Sequence, residues 1–202
     1  MEYIENIMQN RYSCRNFKDE KIKDGVINEI LDLTRLTPSS LALEPWKFVV
    51  ISKDDDIKKM GEICLNQPQV SNCSHIVVIT ARTDLQSKDE YLKHIIYSKN
   101  KGEDKAIKFF KMVSSKTDLM TENELYNYAS LQCYMALANL VNIAYSKRVK
   151  SCIIGGFDKE KLTKFLNLPN EFKPCIVVAL GLSDEKSTPK IRQSLDEVAI
   201  WK

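Results

Sequence analysis

The chain has 202 residues, 44% of them apolar and 28% charged, the balance of an ordinary folded protein rather than a disordered one. The net charge is +3 with the signs mixed along the chain, so no clustered basic face points to nucleic acid. No apolar run approaches the roughly 20 residues needed to cross a bilayer, which excludes a membrane-spanning helix.

The opening Met1-Glu2-Tyr3-Ile4-Glu5-Asn6 lacks the basic-then-apolar pattern of a secretory signal, and a cytoplasmic protein is expected. Residues 1–10 place Tyr3, Ile4, Ile7 and Met8 at helical spacing. A polar loop follows, from Arg11 to Phe17. Asp24 is expected to cap a second helix with Val26, Ile27, Ile30, Leu31 and Thr34 on its apolar face, ending ahead of Pro38. Lys47–Ile51 reads as a strand rich in β-branched residues. Residues 55–65 read as a short helix, and His75–Thr80 as a strand buried on both faces.

Residues 88–115 are helix-rich and charged. Thr121 and Glu124 form a capping box that opens a long helix to about Ser146, apolar most of the way round and so central in the core. Ser151–Ile154 is a third strand, ending at Gly155-Gly156. Asp158 caps another short helix, and Pro174–Gly181 is a fourth strand. The polar tail ends Val198-Ala199-Ile200-Trp201, as if docked on something apolar such as a partner subunit. With no linker or repeat, residues 1–202 read as one α+β domain, a sheet of four or slightly more strands with helices on its faces.

Six cysteines are present with no Cys-x-x-Cys pair, and reduced thiols are expected. Cys133, Cys152 and Cys175 read as small core residues. Cys64, Cys73 and His75 lack a fourth ligand, so no metal is expected. The chain has neither Gly-x-Gly-x-x-Gly nor Gly-x-x-x-x-Gly-Lys, so any phosphate must be held by side chains rather than a glycine-rich backbone nest. Arg11-x-Ser13-x-Arg15 offers two guanidinium forks and a hydroxyl on one side of an extended segment. Pro38-Ser39-Ser40, followed by Pro45-Trp46, is a second constrained polar loop. His75 and His94 read as structural or surface residues.

Arg-x-Ser-x-Arg-x-Phe, a helix, then Pro-Ser-Ser-x-x-x-x-Pro-Trp-x-Phe-Val-Val resembles the start of the nitroreductase family of flavoproteins. Ile154-Gly155-Gly156-Phe157-Asp158 and the ending Pro189-Lys190-Ile191-Arg192 extend the resemblance over nearly the whole chain. It implies a mostly antiparallel sheet and a homodimer with FMN at the subunit interface. It further implies hydride transfer from NAD(P)H to nitroaromatic, quinone or flavin acceptors by a ping-pong mechanism. By the same resemblance, Arg11, Ser13 and Arg15 from one end and Lys190 and Arg192 from the other hold the FMN phosphate. Pro38, Ser39 and Ser40 match the loop given to the partner's site. Asn66 matches a flavin-ring contact, Gly155 and Gly156 the turn facing flavin N5, and Phe110 (or Phe109) an aromatic over the substrate. The flavin carries the chemistry, so no catalytic side chain is expected.

The chain departs from this pattern at Ala42, Glu44, Gln69 and Gly155. Losing a cation at Gln69 and gaining Glu44 is expected to make the flavin harder to reduce. These departures motivate a second expectation, an FMN-binding sensor or flavin store with little turnover.

Overall fold

A computed structural model describes residues 3–202. In chain order it contains α1 (Tyr3–Asn10), α2 (Asp24–Thr34), a 3-10 turn (Ser40–Ala42), β1 (Trp46–Ile51), α3 (Asp54–Ile63), α4 (Pro68–Ser71) and β2 (His75–Arg82). There follow α5 (Glu90–Lys99), α6 (Glu103–Thr117), α7 (Glu122–Ser146), β3 (Lys150–Ile154), α8 (Lys159–Leu166), β4 (Phe172–Gly181) and α9 (Leu195–Val198). The strands form one sheet in the order β1-β2-β4-β3, and all three pairings are antiparallel.

Period-two alternation divides the sheet between two apolar layers. Trp46, Val77, Ile79, Val178 and Leu180 face α2 and α7. Ile51, Ile76, Val78, Val177 and Ala179 face α3 and α8. The central strands are buried on both sides, as the unbroken run His75–Thr80 requires. A third cluster lies apart: Leu43, Leu92, Ile95, Ile96 and Val113, with Leu41, Phe109, Phe110 and Tyr128 packed against it. It forms where the α5–α6 hairpin folds over the loop before β1.

The 25-residue α7 is the organising helix. Thr121 Oγ1 accepts from Glu124 N and the Glu124 carboxylate accepts from Thr121 N, which satisfies two otherwise orphaned donors. Asp158 caps α8 by accepting from Lys161 N at 3.0 Å.

Asp24 does not cap α2. The N-cap is Lys23, and Asp24 begins the helix itself. Its carboxylate instead takes His75 Nε2 at 3.0 Å, while Ser74 Oγ contacts His75 Nδ1 at 2.9 Å and accepts Ile22 N. His75 is buried and ties β2 to the start of α2. The apolar side chains of the tail are not buried on their own chain: Ile191, Leu195, Ile200 and Trp201 are exposed. No helix among the described residues is long and apolar enough to cross a membrane.

Candidate functional site

The two ends of the chain meet at the outer edge of β3. Ser13 forms a parallel bridge with Ser151, and Cys14 N donates to Ser151 O at 3.0 Å. The loop therefore runs along an edge strand whose ladder would otherwise end unpaired. Phe17 packs against Gly181, so close that a Cβ there would meet Phe17 Cδ1 at 2.4 Å. Lys18 N donates to Leu182 O at 2.8 Å, and Lys18 pairs with Asp184. Tyr12 OH donates to Glu185 O at 2.6 Å, Asn16 Nδ2 donates to the Glu185 carboxylate at 3.0 Å, and Ser183 Oγ donates to Asn16 O. Burial pushes the Tyr12 hydroxyl up to about 12, so it remains a donor at neutral pH.

These fasteners deliver the tail cations to the loop. Burial and then the charge of Arg192 lower the Arg11 pKa. Burial, then Arg11 and Arg192, lower that of Lys190. Three cations thus crowd one place, and no ion pair among the described residues includes any of them or Arg15. Lys190 Nζ donates to Met8 O and Arg192 to Ile191 O, which neutralises no charge. Ser13 and Arg15 are exposed beside them. Such a donor set fits a phosphate monoester.

Gly155 and Gly156 follow the other end of β3, Gly155 four residues or about 13 Å from Ser151 at the usual strand rise. Gln67 Nε2 donates to Gly156 O at 3.0 Å and to Cys64 O at 2.9 Å, and Gln67 Oε1 accepts from Gln69 Nε2 at 3.1 Å. Asn66 is exposed at φ 55°, next to Leu65 at φ 60°. Two consecutive non-glycine residues in the left-handed region are costly and need support. Gln67 gives it, joining this turn to Gly156. Gln69 is a buried amide in the same relay and brings no charge.

Pro38, Ser39, Ser40 and Phe110 are grouped elsewhere, around the third cluster. Ser39 Oγ accepts Glu44 N at 2.9 Å, and Ser40 N donates to Gln132 Oε1 at 3.0 Å. Leu41, Ala42 and Glu44 all have positive φ. Tyr91 OH bridges Leu43 O and Glu44 O, both at 2.9 Å, while Lys99 Nζ donates to Ala42 O and pairs with the Glu44 carboxylate. Lys99 thus offsets the charge that Glu44 adds. Phe110 packs against Tyr97 with ring centroids 6.3 Å apart. Phe109 lines a cavity of about 260 Å³ with Leu41, Ala42 and Lys99.

The supporting residues Tyr12, Glu185, Gln67, Lys99 and Gln132 carry no motif. Only the contacts reveal them, although the Tyr12 position inside Arg-x-Ser-x-Arg is a local hint.

Fold and site define an α+β protein with a cationic cradle at the outer edge of its sheet and a strained polar loop on a separate face. The chain belongs to the nitroreductase family, whose sequence profile ("Nitroreductase family") matches residues 8–182. A protein of Staphylococcus haemolyticus named "Putative NAD(P)H nitroreductase SH0546" is 34% identical over 212 residues, covering 99% of this chain and 97% of that one. The fold is similar to that of a nitroreductase-like protein of Streptococcus mutans, with a TM-score of 0.88, 20% identity and coverage of 98% and 97% of the two chains. It is also similar to a "putative nitroreductase" of Exiguobacterium sibiricum solved in complex with FMN, with a TM-score of 0.86, 19% identity and coverage of 100% and 98%.

Proposed function

We propose that the protein is an FMN-dependent oxidoreductase that takes a hydride from NAD(P)H and delivers it to nitroaromatic, quinone or flavin acceptors in two alternating half-reactions. The crowding of Arg11, Lys190 and Arg192, none of which is in an ion pair among the described residues, carries this reading. These three cations, with Ser13 and Arg15, hold the phosphate. FMN supplies the two-electron chemistry when bound.

The residues of this chain bind and orient. Gln67 fixes the Gly155-Gly156 turn, and this turn and Asn66 would hold the ring end of the flavin. Pro38, Ser39, Ser40 and Phe110 serve the site of a second copy, because they sit around the third cluster rather than on the β3 edge. Homodimer formation then covers Tyr3, Ile4 and Met8 of α1, Leu131, Tyr134 and Met135 of α7, and the apolar tail, all exposed on the isolated chain. Burying them follows the hydrophobic effect.

The visible spectrum of the purified protein, before and after each nicotinamide is added, tests the proposal. A yellow protein bleached rapidly by NADH or NADPH is expected. FMN that stays oxidised for minutes under both donors would mark a flavin store or sensor instead. A colourless protein that takes up no added FMN would remove the flavin reading altogether.

A further inference from the structure

We propose that Tyr91, seated by Arg82, is a positioning residue for the flavin site: it clasps the loop before β1 in the shape that a bound flavin requires. The inference rests on the reading that this loop serves the flavin of a second copy.

It starts from strain. Leu41, Ala42 and Glu44 have φ values of 55°, 52° and 47°, in a region that non-glycine residues seldom enter. Three such residues within four positions persist only where neighbouring groups fix the backbone, and strain of this kind gathers at ligand clamps. The loop's own backbone bonds are short-range. Ala42 N donates to Ser39 O, Leu43 N to Ser40 O, and Trp46 N to Glu44 O. Each closes a turn without tying the turn to the sheet. Tyr91 supplies such a tie. From the first turn of α5 its hydroxyl reaches Leu43 O and Glu44 O, both at 2.9 Å. A phenol has one proton, which the two carbonyls share. Burial pushes the Tyr91 hydroxyl up to about 12, so that proton stays in place at neutral pH.

Arg82 in turn holds the Tyr91 ring. It ends β2 and pairs with Phe172 across the ladder. Its guanidinium carbon lies 3.4 Å from the Tyr91 ring centroid and 4.6 Å from that of Phe172, a flat cation against two aromatic faces. Asp84 fixes the plane of the fork: Arg82 Nε donates to Oδ1 at 2.9 Å and Nη2 donates to Oδ2 at 2.5 Å. The backbone N of Arg82 also donates to Pro45 O at 3.1 Å. The end of β2 thus grips the loop twice, directly at Pro45 and through Tyr91 at Leu43 and Glu44. Lys99 braces the same loop at Ala42 O and the Glu44 carboxylate. That ion pair is partly exposed and weakens in salt, whereas the Tyr91 clasp is neutral and does not.

The test is Tyr91→Phe, which keeps the ring on Arg82 and removes only the hydroxyl. In high salt, hydrogen exchange of the flavin-free variant is expected to quicken at the amides of Ala42, Leu43, Glu44 and Trp46, with the amides of β4 unchanged. FMN and riboflavin are both expected to bind about tenfold more weakly. An equal loss on the two separates the loop from the phosphate cradle, whose removal spares riboflavin. Arg82→Lys keeps the charge but gives up the fork. It is expected to act in the same direction, and adding Tyr91→Phe to it to change nothing further. Unchanged exchange at the four amides would overturn the clasp, and additive losses in the double variant would overturn the part given to Arg82. A variant that binds both flavins as tightly as the wild type would overturn the positioning role and leave the flavin reading intact. A wild type that binds neither flavin ends that reading and the role together. If Arg82→Lys does not fold, Tyr91→Phe alone decides.

Discussion

The charge of Arg192 bears on Arg11, and neither is in an ion pair among the described residues, so each is expected to matter more to a phosphate than to the fold. Charge-assisted contacts contribute on the order of 1.5–3 kcal/mol each, and changing both residues to alanine is expected to weaken FMN binding by roughly a hundredfold or more. Riboflavin, which lacks the phosphate, should bind both proteins alike in a fluorescence titration, and equal FMN affinity in the two would show the cradle to be misassigned. Gly181 is a second such position. A methyl group there collides with the Phe17 ring, and overpacking of this kind costs about 1–3 kcal/mol. Gly181→Ala is expected to lower the urea midpoint, and an unchanged midpoint would mean that Phe17 swings aside freely. The cations and the glycine turn were named in the sequence through the order and spacing of the family pattern, since each taken alone reads as an ordinary loop. Gln67 and Glu185 were not, because an amide or a carboxylate in a loop is ordinary until its distant partner is known.

Most elements could be read in advance because their local signals agree. The Thr121–Glu124 box, the Asp158 cap and the β-branched runs of β1 and β2 each named a boundary or a type. Asp24 misled, since an aspartate at a helix start suits either the cap or the first turn, and His75, far away in sequence, settled which. The short α4 was also missed, for four residues carry no periodicity. The α7 cap makes a quantitative case. Thr121→Ala is expected to cost about 1 kcal/mol, readable by chemical denaturation. Bonds from Thr121 hold the Glu124 carboxyl below its usual value of 4.5. That part of the stability is present above pH 4.5 and is lost as pH falls through the lower folded value. A Thr121→Ala protein should therefore show a shallower acid dependence than its parent, and parallel pH curves for the two would refute the coupling.

At the scale of the whole molecule, the cationic edge beside β3 and the strained loop before β1 lie at opposite edges of the sheet, and in the proposed homodimer a second copy would bring one to the other. Light scattering is expected to give twice the chain mass whenever FMN is bound, and a single-chain mass with FMN retained would contradict the shared site. The separation of Ser40 from β3 depends on long-range packing that no local pattern encodes. The crowd of like charges where the chain ends meet has one more consequence. It acts as a compressed spring: without an anion, mutual repulsion works against the closure that Tyr12 and Phe17 enforce. Any multivalent oxyanion should relax it, and one that binds only the closed form raises the melting temperature by mass action. Sulfate should thus stabilise the flavin-free protein more than chloride does at equal ionic strength, and Arg11→Ala should abolish the difference. The melting curve becomes a gauge of how firmly the two termini are held together.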